Sequence, residues 1–404
     1  MFQRLDLARL ALPATLLLTC LLGWGFKAHC LENGGWPSWV QYSTGCYSDA
    51  IPFWTARDVD AGAVPYFESR MEYPVLTGLL IWIEGGLARL TGASGPGSTH
   101  FLFWVTFGNA LLAFAILAML YRAGMNDARL KRWALAPPLI LYLGHNWDML
   151  AVALAVAAML TARQGRPATA AALAGLGTAA KLFPALLLPL LGLQALFGDS
   201  ERPLFERIRN AALLSAAAIG AWLLVNLPVA LAAFENWSEF YRFSGSRPGT
   251  RASIWEILNH LHVWRATIAE RNFWSALAFF AGYAAIVALG WRRHRTRLWI
   301  LFPAVLGWFL LTNKVHSPQF DLWIYPLLLI AAPRLWPVAL FAAGDLAAYF
   351  AEFWWLARMN GAWPHATIIP VALAAGVRGA ALLWLIADLV RLPSPRWIEE
   401  AARV

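Results

Sequence analysis

From Leu10 to Val390 the chain is a series of apolar runs separated by short polar turns. A helix that spans a bilayer takes roughly 20 apolar residues. The first run, about Leu10–Phe26, follows Arg4 and Arg9, and basic residues mark the cytoplasmic side, so the N-terminus is expected inside. No A-x-A-like cleavage site follows it, which favours a retained helix over a signal peptide. The polar stretch 27–98 is then a first outer loop. Within it Tyr73–Leu90 is apolar enough to span but carries Glu84 and Arg89. The next run, about Thr99–Tyr121, ends on Arg122, Arg129, Lys131 and Arg132. If Tyr73–Leu90 crossed the membrane, this cluster would lie outside. Tyr73–Leu90 is therefore expected to be an amphipathic helix on the outer surface.

On that choice the remaining runs alternate. Trp133–Leu143 leads out to the turn Gly144–Asp148, and Met149–Ala162 returns to Arg163 and Arg166. Thr169–Lys181 leads out, and Phe183–Phe197 returns to Arg202, Arg207 and Arg209. Ala211–Leu231 opens a second outer loop, 232–271, from which Asn272–Gly290 returns to the strongly basic segment 291–297. Leu298–Thr312, Gln319–Ala332, Leu335–Leu356 and Thr367–Val390 complete the pattern. The expectation is an all-α polytopic membrane protein of about twelve spans, with both termini cytoplasmic. Several runs are short or hold prolines (Pro137, Pro138, Pro184), as helices lining a cavity do. There is no repeat at the periods of solenoid proteins, nor the inverted repeat common in secondary transporters.

Composition supports the membrane reading. The chain is 60% hydrophobic and 14% charged, far from a soluble domain. The net charge of +9 is placed by the turns on the cytoplasmic side, so no nucleic-acid partner is expected. Cys20 lies in the first run, and Cys30 and Cys46 share the first outer loop. If that loop faces an oxidising compartment the two pair as a disulfide; otherwise they are free thiols.

The polar residues suited to chemistry gather on the outer side. Asp49 is the first choice for a general base acting on a hydroxyl, with Asp58 second. Glu72, just before Tyr73-Pro74, is expected to cap the surface helix. Lys181 lies alone in an apolar stretch, where an unpaired cation costs several kcal/mol. It marks an anion such as phosphate, a structural pair with Asp148, or a lysine snorkelling from a helix end. Lys314 and His316, two apart in one turn, can both donate to phosphate oxygens. Asp345 and Glu352 lie on one face of one span, with Arg378 as natural partner, and are expected to form a buried structural network. No P-loop, GxGxxG, GxSxG or zinc-ligand spacing occurs.

Three strings of the first loop, Cys46-Tyr-Ser-Asp49, Gly62-Ala-Val-Pro-Tyr66 and Glu72-Tyr-Pro-Val-Leu-Thr-Gly78, resemble the actinobacterial branch of the family 87 glycosyltransferases. So do Ala180-Lys-Leu-Phe-Pro184, Trp237-Ser-Glu-Phe-Tyr241 and Lys314-Val-His-Ser-Pro-Gln319. The resemblance implies a GT-C-type helical bundle in the plasma membrane, inverting transfer of mannose from a polyprenyl-phosphate donor, and an extracytoplasmic site. It puts the catalytic acid on Asp49, with Asp58 as a possible assistant, and implies no obligatory cofactor or divalent metal. Donor-phosphate contacts are assigned to Lys181, Lys314, His316, Gln319, Arg247 and Arg251. Substrate contacts are assigned to Tyr47, Ser48, Tyr66, Glu72 and Tyr241. The acceptor partner is expected to be a glycolipid or lipoglycan. The same lipid donor suits arabinofuranosyl transfer. A lipid or sugar transporter or flippase, and a structural assembly subunit, are the readings from other classes.

Overall fold

The computed structural model describes residues 7–31, 39–93 and 99–400. Every regular element among them is helical; the one β-bridge, between Pro65 and Ser69, is isolated. The first loop region runs from α1 (Leu7–Ala28) through two short helices, α2 (Val40–Ser43) and α3 (Ala50–Ala56), to α4 (Val75–Leu90) and α5 (Thr99–Arg122). Next come α6 (Asp127–Ala134), α7 (Pro137–Tyr142), α8 (Met149–Arg163) and α9 (Pro167–Thr178). A 3₁₀ turn, Phe183–Leu187, leads into α10 (Leu188–Phe197) and the long α11 (Leu204–Ala232). The second loop region holds α12 (Phe234–Ser246) and α13 (Ile254–His260). Then follow α14 (Ile268–His294), a 3₁₀ turn at Leu298–Leu301, α15 (Phe302–Thr312), α16 (Phe320–Ala331), α17 (Trp336–Met359), α18 (Ile368–Arg391) and α19 (Arg396–Glu400).

Five helices among the described residues are long and apolar enough to cross a bilayer: Ala11–Ala28 within α1, and α5, α11, α14 and α18. They make this a multi-pass helical membrane protein. Shorter apolar helices, Met149–Arg163, Phe183–Phe197, Leu298–Thr312 and Phe320–Ala331, fill the interior. Every residue of α16 is buried, so this helix is sheathed by protein.

The expected span Trp133–Leu143 is not one helix. Pro137 and Pro138 follow Ala136, whose backbone is extended (ψ 116°), and the chain restarts there as the six-residue α7. The cause is local: proline lacks an N–H and pushes the residue before it out of helical conformation. The surface helix expected at Tyr73–Leu90 forms as α4. It begins after Pro74 (ψ 160°), with no side chain capping it. One face of α4 (Val75, Ile81, Glu84, Ala88) is buried, and Leu79, Ile83 and Leu90 are turned outward.

The helices give the molecule two unlike ends. At one end Arg163 donates to the carbonyls of Ala123 and Trp397, Arg129 to those of Leu329 and Ala332, and Arg297 faces Glu399. The basic turns therefore converge. At the other end the first loop, the turn after α7, the start of α16 and the α12–α13 segment surround a cavity of about 620 Å³.

Candidate functional site

The cavity is organised around the loop that carries Asp49. That loop is fastened from two directions. Cys30 is disulfide-bonded to Cys46. Lys27, in the last turn of α1 and fully buried, donates to the carbonyls of Tyr47 (2.8 Å) and Gly45 (3.3 Å) and to the Tyr349 hydroxyl (2.7 Å). Its Nζ also lies 3.3 Å from His145 Nδ1. Burial, and then the Lys27 amine group beside it, hold the His145 imidazole well below its ordinary pKa, so the ring is neutral. Gly45 has φ +77°, a left-handed backbone that glycine adopts without strain, and it lies against the Tyr349 ring. The Asp49 N–H donates to the His145 carbonyl at 2.8 Å, docking the loop on the turn after α7.

Both carboxylate oxygens of Asp49 are addressed by phenols. Tyr47 donates to Oδ1 at 2.8 Å and Tyr73 to Oδ2 at 3.0 Å. Burial pushes the carboxyl above its usual range; the two phenols and the Lys181 charge pull the other way, and burial wins. The Asp49 charge in turn holds Tyr47 well above its ordinary pKa, and burial together with that charge does the same for Tyr73. Both tyrosines thus remain hydrogen donors. A carboxylate made more basic than usual, in a partly dry recess, suits proton abstraction.

Lys181 lines the same cavity and is paired: Nζ lies 2.8 Å from Asp148 Oδ1, and Trp323 Nε1 donates to Oδ2 at 2.7 Å. The expected structural pair with Asp148 is therefore present, on a lysine that lines the cavity. Lys181 also stands 4.6 Å from the centroid of the Tyr73 ring. Two further cations reach the cavity from other segments. Arg247, ending α12, rests 5.2 Å from the Phe243 ring and has no carboxylate partner among the described residues. Lys314 donates to the Gly245 carbonyl at 2.8 Å. Burial and then the neighbouring Arg247 and Arg271 charges lower its pKa. Gln319 lines the cavity beside them.

Other candidates fall elsewhere. Asp58 is exposed, with φ +52° at the end of α3, and does not line the cavity. His316 is buried behind the wall, with Nε2 3.0 Å from Asp321 Oδ1, and does not face the cavity. Arg251 lies over the Trp355 ring (4.6 Å) and near Glu256. Ser48 is a buried loop fastener, accepting from the Ala50 N–H. Tyr66 is buried and donates to the Tyr73 carbonyl at 2.8 Å; Tyr241 packs on Trp237. Glu72 does line the cavity, but it grips Arg57 through both oxygens (2.6 Å each) and caps no helix. Arg378 takes Asp321 (2.7 Å), not Asp345 or Glu352, as its direct partner, while Asp345 accepts from Tyr142.

Two central residues have no role in the sequence expectations: Lys27 and the hydroxyl of Tyr73. A lysine at the end of a first span reads as a headgroup contact, and nothing in its neighbours signals that it turns inward. Among the described residues the one group of three potential metal ligands is His29, Cys30 and Cys46, whose two sulfurs are already bonded to each other. No protein-family model matches the chain, and no curated protein matches its sequence.

Proposed function

We propose that this protein is an inverting glycosyltransferase that moves a sugar, mannose in the first instance, from a polyprenyl-phosphate donor to an acceptor hydroxyl. The observation that carries the reading is the cavity itself. It is lined by Asp49, held by two phenols and raised in basicity, and by Lys314 and Arg247, the latter without a carboxylate partner among the described residues. The resemblance of the Asp49 loop to family 87 glycosyltransferases points the same way.

In this reading Asp49 takes the proton of the acceptor hydroxyl as its oxygen attacks the anomeric carbon. The bond from that carbon to the phosphate oxygen breaks on the opposite face, and the configuration inverts. Phosphate is a good leaving group, so no second carboxyl is needed to protonate it, unlike glycoside hydrolysis. Arg247 and Lys314 meet the charge that develops on the departing phosphate. Lys181 favours the charged form of Asp49 through its field, an effect that its partner Asp148 opposes. The cavity end faces out of the cell from the plasma membrane, since the basic turns gather at the other end. About twelve crossings of a GT-C-type bundle belong to the same reading.

The test is transfer of radiolabelled mannose from polyprenyl-phosphate-mannose in membranes carrying the wild type or Asp49→Asn. Transfer that falls about 10² to 10⁴-fold in the variant is expected for loss of a general base. A wild type inert with both mannose and arabinose donors would overturn the proposal.

A further inference from the structure

The lining of the cavity holds buried acceptors that the reaction above does not use. Glu352, on α17, lines the cavity and is only 6% exposed. Its Oε1 accepts from the Arg251 N–H at 3.1 Å and the Ala252 N–H also approaches the carboxyl, while Oε2 has no hydrogen bond of normal geometry among the described residues. Gln319, at the start of α16, lines the same cavity, and its Oε1 is likewise buried and unpartnered. A buried acceptor without a donor costs about 1–3 kcal/mol, so two of them in the lining of one cavity need an explanation.

The chemistry narrows what could satisfy them. Both atoms accept, so the ligand must offer several hydrogens. Charges of both signs line the same space, Asp49 and Glu352 against Arg247 and Lys314, so a neutral hydrogen-donating group is the simplest match for the two acceptors. The residue after Glu352, Phe353, lies 6.0 Å from the Tyr47 ring and 6.4 Å from the Tyr42 ring, and all three line the cavity. Tyr47 is the phenol that holds Asp49. An aromatic surface flanked by acceptors fits the C–H face and the hydroxyl edge of a neutral polyol ring. We infer that Glu352 and Gln319 form a polyol-recognition subsite, each accepting a hydrogen from a ring hydroxyl of the ligand beside Asp49. This rests on the glycosyl-transfer reading only for the use made of the ring, which is either the donor sugar or the acceptor headgroup.

The test measures binding apart from transfer. Purified full-length protein in lipid nanodiscs is titrated with methyl mannoside, methyl arabinofuranoside and myo-inositol by saturation-transfer NMR. The wild type is compared with Glu352→Gln and Gln319→Met. Glu352→Gln keeps an oxygen for the Arg251 N–H and puts a donor where Oε2 was. At least one probe is expected to bind the wild type, and each substitution to weaken it about tenfold or more. Circular dichroism and melting temperature check the fold, and if one variant unfolds the other decides. Where transfer is active, a rise in KM for the donor alone assigns the ring to the donor sugar, and a rise for the acceptor alone assigns it to the acceptor. Unchanged probe binding in both variants, or no probe bound by the wild type, overturns the subsite. Substitution-sensitive binding without any transfer leaves the subsite standing and removes the glycosyl-transfer reading.

Discussion

The Tyr73 hydroxyl donates to Oδ2 of Asp49 at 3.0 Å, joining the start of α4 to the start of α3. This bond favours the charged carboxylate against the burial that disfavours it. In Tyr73→Phe the ring remains and the hydrogen bond goes. The Asp49 pKa then rises further, and the group is protonated over a wider range at the acid end. The acid limb of the pH–rate profile for sugar transfer should move to higher pH, with the rate recovering on the alkaline side. An acid limb that stays in place would separate Tyr73 from the base.

Arg247 and Arg251 are four residues apart but differently placed, one lining the cavity and the other lying over Trp355. Arg247→Gln removes a charged donor from the proposed phosphate site, worth about 1.5–3 kcal/mol, and should raise the donor KM by about tenfold or more. Arg251→Gln should leave the donor KM within about twofold, because its guanidinium lies over Trp355 and near Glu256 and does not line the cavity. Initial rates at varied donor concentration measure both.

The Lys181–Asp148 pair is buried, with side-chain exposures of 15% and 1%. Lys181→Met leaves Asp148 charged and held only by Trp323. The expected loss is about 3–5 kcal/mol, read as a lower melting temperature in detergent. Adding Asp148→Leu should restore part of it, since the unpaired charge is then gone. A single variant as stable as the wild type would contradict the pairing.

The Cys30–Cys46 disulfide closes a separation of 16 residues. Chain-entropy arguments give about 3 kcal/mol for a loop of this size. The Cys30→Ser, Cys46→Ser double variant should melt lower by a corresponding amount and lose transfer activity, because the bond ends three residues from Asp49. Thiol labelling of the wild type before and after reduction should detect two additional thiols.

Much of this was legible along the chain. The long apolar runs at Thr99–Tyr121, Ala211–Leu231 and Asn272–Gly290 all lie within helices. Long runs without charge leave one solution, because their backbone must satisfy itself within a helix. Within Trp133–Leu143 the two prolines, visible in the sequence, set the break at Ala136, but the sequence does not show how the two pieces are placed. At the site, Asp49, Lys181, Arg247, Lys314 and Gln319 all line one cavity. The sequence could not rank them, since His316 and Lys314 are two residues apart and yet His316 turns inward to Asp321. Such choices are made by partners distant in the chain. The same holds for Glu352, whose role depends on a backbone N–H about a hundred positions away.

Lys27 belongs to the first long apolar helix, yet it fixes the carbonyls on either side of Cys46. The depth of the carboxylate is therefore geared to the seating of α1 among the lipids. A thicker or thinner bilayer that tilts α1 would tilt Asp49 with it, which makes hydrocarbon thickness a variable of the proposed site.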